Sequence, residues 1–125
     1  MAIIAFIYTT GYVDRGDPGA HDYTELTLNL DGQWNALDLS AIVPAGAKAV
    51  LIVLELVGST IFADFRMRKH GNANDYAISS GNVQVVAIAN YNDCVVAVDA
   101  DRKIDYIGGE VAISTVTMVI KGWWL

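Results

Sequence analysis

Short apolar or alternating runs, each closed by a Gly, Asn or Asp turn, follow one another along most of the chain. From Lys48 onward these runs read KAVLIVLELV, IFADFRMRK, VQVVAIAN, CVVAVD, RKIDYI and EVAISTVTMVIKGWW, and polar residues predict loops at 70–75 and 79–82. Strands that recur roughly every 8–12 residues with turns between them are typical of an antiparallel sandwich or barrel. The pattern therefore predicts an all-β chain of about eight or nine strands, with an antiparallel β-sandwich as its fold class.

The N-terminal third contains three further predicted strands. Residues 1–7 are apolar and lack a basic leader, so we expect a first strand there and not a signal peptide. Residues 23–30 alternate, and residues 33–39 follow them after Asp31 and Gly32. Because Asp-Gly is favoured in two-residue turns, these two segments predict a β-hairpin.

The composition bears on assembly. Hydrophobic residues make up 54% of the 125 residues and charged residues only 18%, and no linker-like segment interrupts the chain, so we expect one domain over residues 1–125. A small domain cannot bury so much apolar area by itself, which favours burial between subunits. Side chains alternate along a strand, so the two adjacent tryptophans should point to opposite faces. The candidate interface residues are Val53, Val116, Met118, Trp123 and Trp124.

The net charge, the lengths of the apolar stretches and the single cysteine argue against nucleic-acid binding, membrane insertion and an intrachain disulfide. The net charge of −6 argues against nucleic acid, because such a protein needs a basic face to displace counterions. The longest apolar stretch, residues 49–54, is too short to span a bilayer, so we expect no membrane insertion. The single cysteine, Cys94, cannot form an intrachain disulfide, and its apolar neighbours predict a buried, unreactive thiol.

Candidate catalytic and metal-binding residues lack the spacing that such chemistry needs. His21 and His70 stand far apart in polar loops, without the His/Cys spacing of a zinc site. Asp14, Asp17 and Asp22 share a loop and could supply oxygen ligands to calcium, but loop aspartates more often cap turns. No nucleophile elbow, phosphate loop or dinucleotide fingerprint occurs. We therefore predict no enzymatic activity, no metal and no cofactor.

Two short motifs have competing interpretations. Residues 15–17 read Arg-Gly-Asp, the tripeptide of many adhesion ligands, but Gly16 and the following Pro18 are explained equally well as turn residues. Asp99 and Asp101 form a carboxylate pair, which in a glycosidase would have to face one cleft. Their place just before two cations favours a capped turn instead.

Aromatic and amide side chains leave room for glycan binding, because aromatic faces pack against sugar rings. The candidate glycan or partner contacts are Trp34, Asn72, Asn74, Tyr91 and Asn92. The alternative is that the aromatic residues fill the core or a seam between subunits. A shared, exposed position of Trp34 and Tyr91 would favour recognition, and burial between subunits would favour a structural role.

Four segments together resemble those of small β-domains in bacteriophage virion structural proteins. Residues 34–50 contain DLS and VPAGAKAV, residues 65–71 read FRMRKHG, residues 96–106 read VAVDADRKIDY, and residues 120–124 end in GWW. The resemblance implies a jelly-roll-like β-sandwich, commonly trimeric, found on capsid decoration proteins and on tail-fibre or tailspike parts. It does not cover the N-terminal third, and it implies no catalytic residue.

The sequence and the resemblance together favour a non-enzymatic virion protein, made in the cytoplasm of a bacterial host. Our first hypothesis is a homotrimeric capsid decoration, or cement, protein whose partners are its own copies and phage capsid or tail proteins. The alternative is a receptor- or carbohydrate-binding module of a tail fibre or tailspike, with a host surface glycan as partner. A small hydrolase is disfavoured because no nucleophile–base pair can be identified.

Overall fold

A computed structural model describes residues 11–109 and 112–125, and the strand predicted for residues 1–7 lies outside these ranges. The described residues form nine β-strands and no α-helix. The strands are β1 (Tyr12–Asp14), β2 (Tyr23–Thr24), β3 (Asn35–Asp38), β4 (Ala49–Gly58), β5 (Asp64–Lys69), β6 (Ser79–Asn82), β7 (Asn90–Ala97), β8 (Lys103–Gly108) and β9 (Ile113–Trp124). The predicted all-β class with about eight or nine strands is confirmed.

The strands form two antiparallel sheets that enclose the core between them. In sheet A the order is β1-β9-β4-β7, with β2 also pairing with β9, and in sheet B it is β3-β8-β5-β6. The pairs are nested along the chain, since β5 pairs with β6, β4 with β7, β3 with β8, and β2 with β9. Such nesting of a folded-back chain across two packed sheets is the jelly-roll arrangement, here with five strands in sheet A and four in sheet B.

Alternation along β4 sends every second side chain into the core. Val50, Ile52, Leu54 and Leu56 have no exposed surface, whereas the residues between them are partly exposed. Sheet B supplies the opposite layer of the core, where the rings of Phe65 and Tyr106 stack with their centroids 5.7 Å apart. The near-continuous apolar run of residues 48–57 thus serves two faces, one inside the sandwich and one outside it.

A β-bulge near the end of β9 changes which face its tryptophans occupy. Ile52 pairs with Ile120 but Leu51 pairs with Gly122, so Lys121 is an extra residue on β9. Beyond the bulge Trp123 packs against the core, while the Trp124 ring lies 5.1 Å from that of Tyr12. The two tryptophans therefore point to opposite faces, as the alternation predicts.

Two predictions for residues 79–90 are wrong. The polar segment Ser79–Asn82, expected to be a loop, is strand β6, because it pairs with β5 along its whole length. Gly81 permits this, since a Cβ there would lie 2.8 Å from a methyl carbon of Leu54. The apolar segment 83–90, expected to be a strand, is a loop until β7 begins at Asn90, with Val83 buried in the core and residues 84–89 exposed.

The predicted hairpin around Asp31 and Gly32 is also wrong. The first strand ends at Thr24, where the Thr27 and Leu28 amides donate to the Thr24 carbonyl and turn the chain. Gly32 has the positive φ of 73° that a turn requires. The flanking strands do not pair, however, because β2 lies in sheet A and β3 in sheet B. The segment between them is a crossover between the two sheets.

Candidate functional site

The side of sheet A that faces away from the core is largely apolar. We call it outer face A, and it comprises Leu51, Val53, Glu55, Val57, Tyr91, Asp93, Val95, Thr117 and Val119. Val95 on β7 is 53% exposed, and its register neighbour on β4 is Leu51. Val53 lies between Asp93 and Val119. Exposed neighbouring apolar side chains of this kind mark interaction surfaces more often than isolated ones do.

A polar row crosses outer face A from β7 to β9. The Tyr91 hydroxyl donates to Glu55 Oε2 at 3.1 Å, and the Thr117 hydroxyl donates to Glu55 Oε1 at 2.9 Å. The hydrogen bond to the Glu55 carboxylate raises the pKa of Tyr91 above its ordinary value. The carboxylate is thus hydrogen-bonded through both oxygens, so the charge that lies among the apolar residues of this face is satisfied within the face itself.

The predicted interface residues divide between this face and the interior. Val53 lies on outer face A, and Trp124 is partly exposed beside Tyr12. Val116 and Met118 have no exposed surface and fill the core of the protomer, so we correct their assignment to a subunit contact. The outward residues of β9 are the alternate ones, because the face of a strand changes at every residue.

A second apolar surface lies at one end of the sandwich. We call it the apolar tip, and it consists of Ile61, Phe62, Val85, Val86 and Ile88, whose exposed fractions run from 42% to 71%. Two backbone hydrogen bonds fasten its loops: Phe62 N donates to the Val83 carbonyl at 2.8 Å, and Ala87 N donates to the Gly58 carbonyl at 3.0 Å. The hydrophobic pattern does not predict this surface, because the apolar run of residues 83–90 is typical of a strand.

The backbone of the apolar tip is held in an unusual conformation. Phe62 and Ala87 have positive φ values of 69° and 65°, a region that residues with a Cβ rarely adopt. Such strain persists only where surrounding contacts impose it, and it concentrates at functional sites. The tip is therefore a shaped surface that the fold maintains, with its large side chains directed outward.

The side chain of Asn90 holds the second loop of the tip together. Its Nδ2 donates to the carbonyls of Val85, Ile88 and Leu56 at 3.0–3.3 Å. Its Oδ1 accepts hydrogen bonds from the Gln84 and Val85 amides at 3.0 and 3.1 Å. Residues 84–89 do not pair with a strand, and the Asn90 side chain supplies hydrogen bonds to their backbone instead. An Asn that closes an uncharged apolar run was the sequence signal for this arrangement.

The outer side of sheet B is charged and carries Trp34. The Arg68 guanidinium stacks 3.8 Å from the centre of the Trp34 ring, and Arg66 lies 5.8 Å from it. His70 Nδ1 lies 2.7 Å from an oxygen of Asp105 on the neighbouring strand. These groups partner one another within the sheet. Trp34 therefore does not share a surface with Tyr91, which lies on outer face A.

The remaining candidate glycan contacts are also dispersed. Asn72 and Asn74 line a shallow depression of about 260 Å³ in the loop between β5 and β6, together with Tyr76. Tyr76 is 97% exposed and was not singled out from the sequence. Asn92 lies elsewhere, with its amide close to Gly81 and directed between the sheets. The structure brings together two of the five predicted contacts.

The Arg-Gly-Asp tripeptide is tied into the fold through its arginine. Arg15 Nη1 donates to Asp22 Oδ2 and to the Ile120 carbonyl, the latter at 3.1 Å. Asp22 Oδ2 also accepts a hydrogen bond from the Ile120 amide at 2.8 Å, and its side chain is 8% exposed. The Arg15–Asp22 ion pair fastens this loop to β9, and it engages the arginine side chain that an adhesion ligand would expose to its receptor.

The other acidic candidates and the cysteine have structural surroundings. The Asp99 carboxylate accepts hydrogen bonds from the Asp101 and Lys103 amides at 2.9 and 2.8 Å, so the predicted capped turn is confirmed. Within residues 11–109 and 112–125 no group of three or more His, Cys, Asp or Glu side chains could hold a metal ion. Cys94 is buried, and burial raises the pKa of its thiol.

No protein-family model matches the chain, and no curated protein is significantly similar to it. Among the described residues, no helix has the length and apolar character needed to cross a membrane.

Proposed function

We propose that this protein is a non-enzymatic structural component of a phage virion, and that it acts as a homotrimer that decorates the capsid surface. The observation that carries the proposal is outer face A, where Leu51, Val53, Val95 and Val119 present a partly exposed apolar surface on a rigid sheet. Burial of such surface contributes about 25 cal/mol per Å², so a second copy that covers it gains stability.

The fold supports this proposal at the level of architecture. Jelly rolls recur in viral capsid and lectin domains, where two packed sheets offer broad faces and end loops for contact. A fold alone does not define a function, so the apolar face is the stronger support.

The segments that resemble phage virion domains support the fold more than any particular site. Arg102 Nη1 donates to the Val43 carbonyl at 3.0 Å, and the Leu39 amide donates to the Arg102 carbonyl at 2.9 Å. The DADRK turn and the VPAGAKAV segment therefore pack against each other at one end of the sandwich. We interpret the resemblance as that of a shared structural framework, which is consistent with a structural role in the virion.

The oligomeric state is the first test of this proposal. Size-exclusion chromatography with light scattering should give three times the protomer mass of 13.5 kDa over a wide concentration range. A protomer mass at every concentration would contradict the proposed assembly. The capsid role is tested separately, by adding purified protein to undecorated capsids of a phage that encodes it and measuring stoichiometric binding.

A receptor- or carbohydrate-binding role is the second candidate. The observation that favours it is the depression between β5 and β6, where the exposed Tyr76 ring stands beside the amides of Asn72 and Asn74. An aromatic face with neighbouring amides suits a sugar ring, which is apolar on one side and rimmed by hydroxyl groups. A glycan array should then show binding that Tyr76→Ala abolishes and that Leu26→Ala, at an exposed position in another loop, preserves. Glycan binding that Tyr76→Ala leaves unchanged would exclude the depression between β5 and β6 as the glycan-binding site.

A further inference from the structure

The eight lysine and arginine side chains of this acidic protein fall into two groups. The first group lies within 4.0 Å of aspartate carboxylates and consists of Arg15, Arg66, Arg68 and Lys121. The second group has no carboxylate this close within residues 11–109 and 112–125, and it consists of Lys48, Lys69, Arg102 and Lys103. The sequence contains 14 aspartate and glutamate residues, so the lack of ion pairs in the second group reflects where its members lie.

The second group lies at the end of the sandwich opposite the apolar tip. Lys48 directly precedes β4 of sheet A, and Lys69 is the last residue of β5 of sheet B. Counted in steps of two, these lysines are in phase with Val50 and Met67, which are fully buried between the sheets. Because side chains alternate along a strand, both lysine side chains are directed toward the open end of the space between the sheets.

Arg102 and Lys103 are less available to a ligand than the other two members. Arg102 Nη1 donates to the Val43 carbonyl at 3.0 Å. Hydrogen bonds from Ser40, and after them the positive charges of these two cations, lower the pKa of Asp38. The Asp38 carboxylate therefore partly balances these two cations, and the two lysines that face the space between the sheets remain.

Lys48 and Lys69 line one depression of about 340 Å³. Ala47 and Val98, which also line it, are nearly buried and give it an apolar floor. The backbone there is fixed, because the Lys48 amide donates to the Trp124 carbonyl at 2.7 Å and the Val98 amide donates to the Lys48 carbonyl at 3.1 Å. Two ammonium groups that come from opposite sheets are therefore directed into a depression of defined shape.

Asp99 contributes the one carboxylate among the described residues that line the depression. Its Oδ1 accepts hydrogen bonds from the Asp101 and Lys103 amides at 2.9 and 2.8 Å, which hold it in the turn. One carboxylate does not neutralise two ammonium groups, so the lining keeps a net positive charge although the protein carries a net charge of −6. An anion from outside the protein would complete the balance.

We propose that this depression binds an oxyanion, a phosphate or carboxylate group, between Lys48 and Lys69. Two like charges directed into one depression repel each other, and a bound anion replaces that repulsion by attraction to both. An ammonium group offers three N–H donors and no acceptor, so each lysine can donate charge-assisted hydrogen bonds to the oxyanion. The volume lies in the range of small-molecule sites, so organic phosphates and sugar acids fit it as well as the inorganic ion does.

An NMR titration of the isotope-labelled protein tests the inference. The anionic probes are inorganic phosphate, glycerol phosphate and glucuronate, and glycerol and glucose are the neutral controls, with the ionic strength held constant by NaCl. Anions that bind should give saturable shifts of the Ala47, Lys48 and Val98 amides, whereas glycerol and glucose should give none. The comparison of glycerol phosphate with glucuronate shows whether the group recognised is phosphate or carboxylate.

Variants that remove one charge each separate this site from general attraction of anions to the protein. Lys48→Gln and Lys69→Gln should each weaken binding of the probe about tenfold, because each removes a charged donor. Lys121→Gln removes the same charge from a lysine that pairs with Asp93 on outer face A, so its affinity should match that of the wild type. Lys48 and Lys69 are exposed, so their variants should keep the native circular dichroism spectrum.

The absence of saturable shifts with all three anionic probes would overturn the inference. So would shifts spread evenly over the surface, or affinities that Lys121→Gln lowers as much as Lys48→Gln does, because both indicate attraction to cations in general. The depression lies within one protomer, so the inference is independent of the self-association proposed above. A monomeric protein that binds the probes would support the site and contradict only the proposed trimer.

Discussion

Replacement of Asn90 by alanine tests whether one side chain organises the apolar tip. The amide has five hydrogen-bond contacts: its two N–H groups are shared among the carbonyls of Val85, Ile88 and Leu56, and its oxygen accepts from the amides of Gln84 and Val85. A protein hydrogen bond contributes about 1 kcal/mol net, and water can replace the more exposed partners. We therefore expect Asn90→Ala to lower the free energy of unfolding by about 2–3 kcal/mol.

Urea denaturation at one fixed protomer concentration measures this loss. With a slope of about 1–3 kcal/mol per M, the midpoint should fall by roughly 1 M. Hydrogen exchange should show the accompanying local change, because the Gln84 and Val85 amides lose their acceptor. Asn74→Ala, in an exposed loop elsewhere, should change stability by less than about 0.5 kcal/mol.

Asn90→Asp separates hydrogen bonding from packing at the same position. The aspartate keeps the acceptor oxygen and nearly the same shape. Its second oxygen replaces the amide nitrogen, however, and repels the three carbonyl oxygens to which that nitrogen donates. It should be at least as destabilising as Asn90→Ala. An unchanged midpoint in both variants would refute the reasoning and show that the backbone bonds at Phe62 and Ala87 hold the tip unaided.

Three further predictions concern the rest of the fold. Gly122→Ala places a methyl group against the backbone of β1 and should cost about 1–3 kcal/mol, whereas Gly19→Ala, with no heavy atom within 4 Å of its added Cβ, should be neutral in the same urea assay. Asp22→Asn weakens the hydrogen bonds to Arg15 and β9 and should cost about 1–3 kcal/mol, while Asp17→Asn in the same loop should have little effect; equal midpoints for the two would contradict the structural role of the ion pair. Hydrogen bonds to the Asp31 carboxylate, chiefly from the Gln33 amide and secondarily from the Asn35 side chain, lower the pKa of Asp31 below its ordinary value. The stability that Asp31 contributes is therefore complete above the unfolded pKa and is lost as the pH falls through the folded pKa. An NMR titration that places the pKa of Asp31 in the folded protein at or above its ordinary value would contradict this.

Alternation of side chains predicted β5 correctly but overextended β2, which ends at Thr24 although residues 23–30 alternate, and strands that depend on their neighbours were misjudged. β5 alternates cleanly between Phe65 or Met67 inside and the arginines outside, and the structure has this pattern. β6 carries no apolar pattern of its own, because its membership in sheet B depends on pairing with β5 and on the small size of Gly81. Residues 83–89 are mostly apolar without alternating, and the loop is shaped by hydrogen bonds of the Asn90 side chain to the backbone, which hydrophobic periodicity does not report.

The site was harder to predict than the fold. On β9 both sets of alternate residues are moderately apolar, so the sequence could not show that Val116 and Met118 face inward. The bulge at Lys121 then changes the face on which the following residues lie. The separation of Trp34 from Tyr91 depends on which sheet each strand joins, and that is a property of topology.

The nested strand pairing has a consequence for how the protein is made. β9 occupies an interior place in sheet A, beside β4, yet it begins at Ile113 whereas β4 ends at Gly58. On the ribosome, β4 therefore emerges with an edge that stays unpaired until β9, more than fifty residues further along the chain, has been synthesised. Folding that depends on such distant pairings is slow and leaves unpaired strand edges available to other chains. We expect sheet A to form only after β9 has emerged, and expression at high ribosome density to favour aggregation through the free edge of β4 before β9 pairs with it.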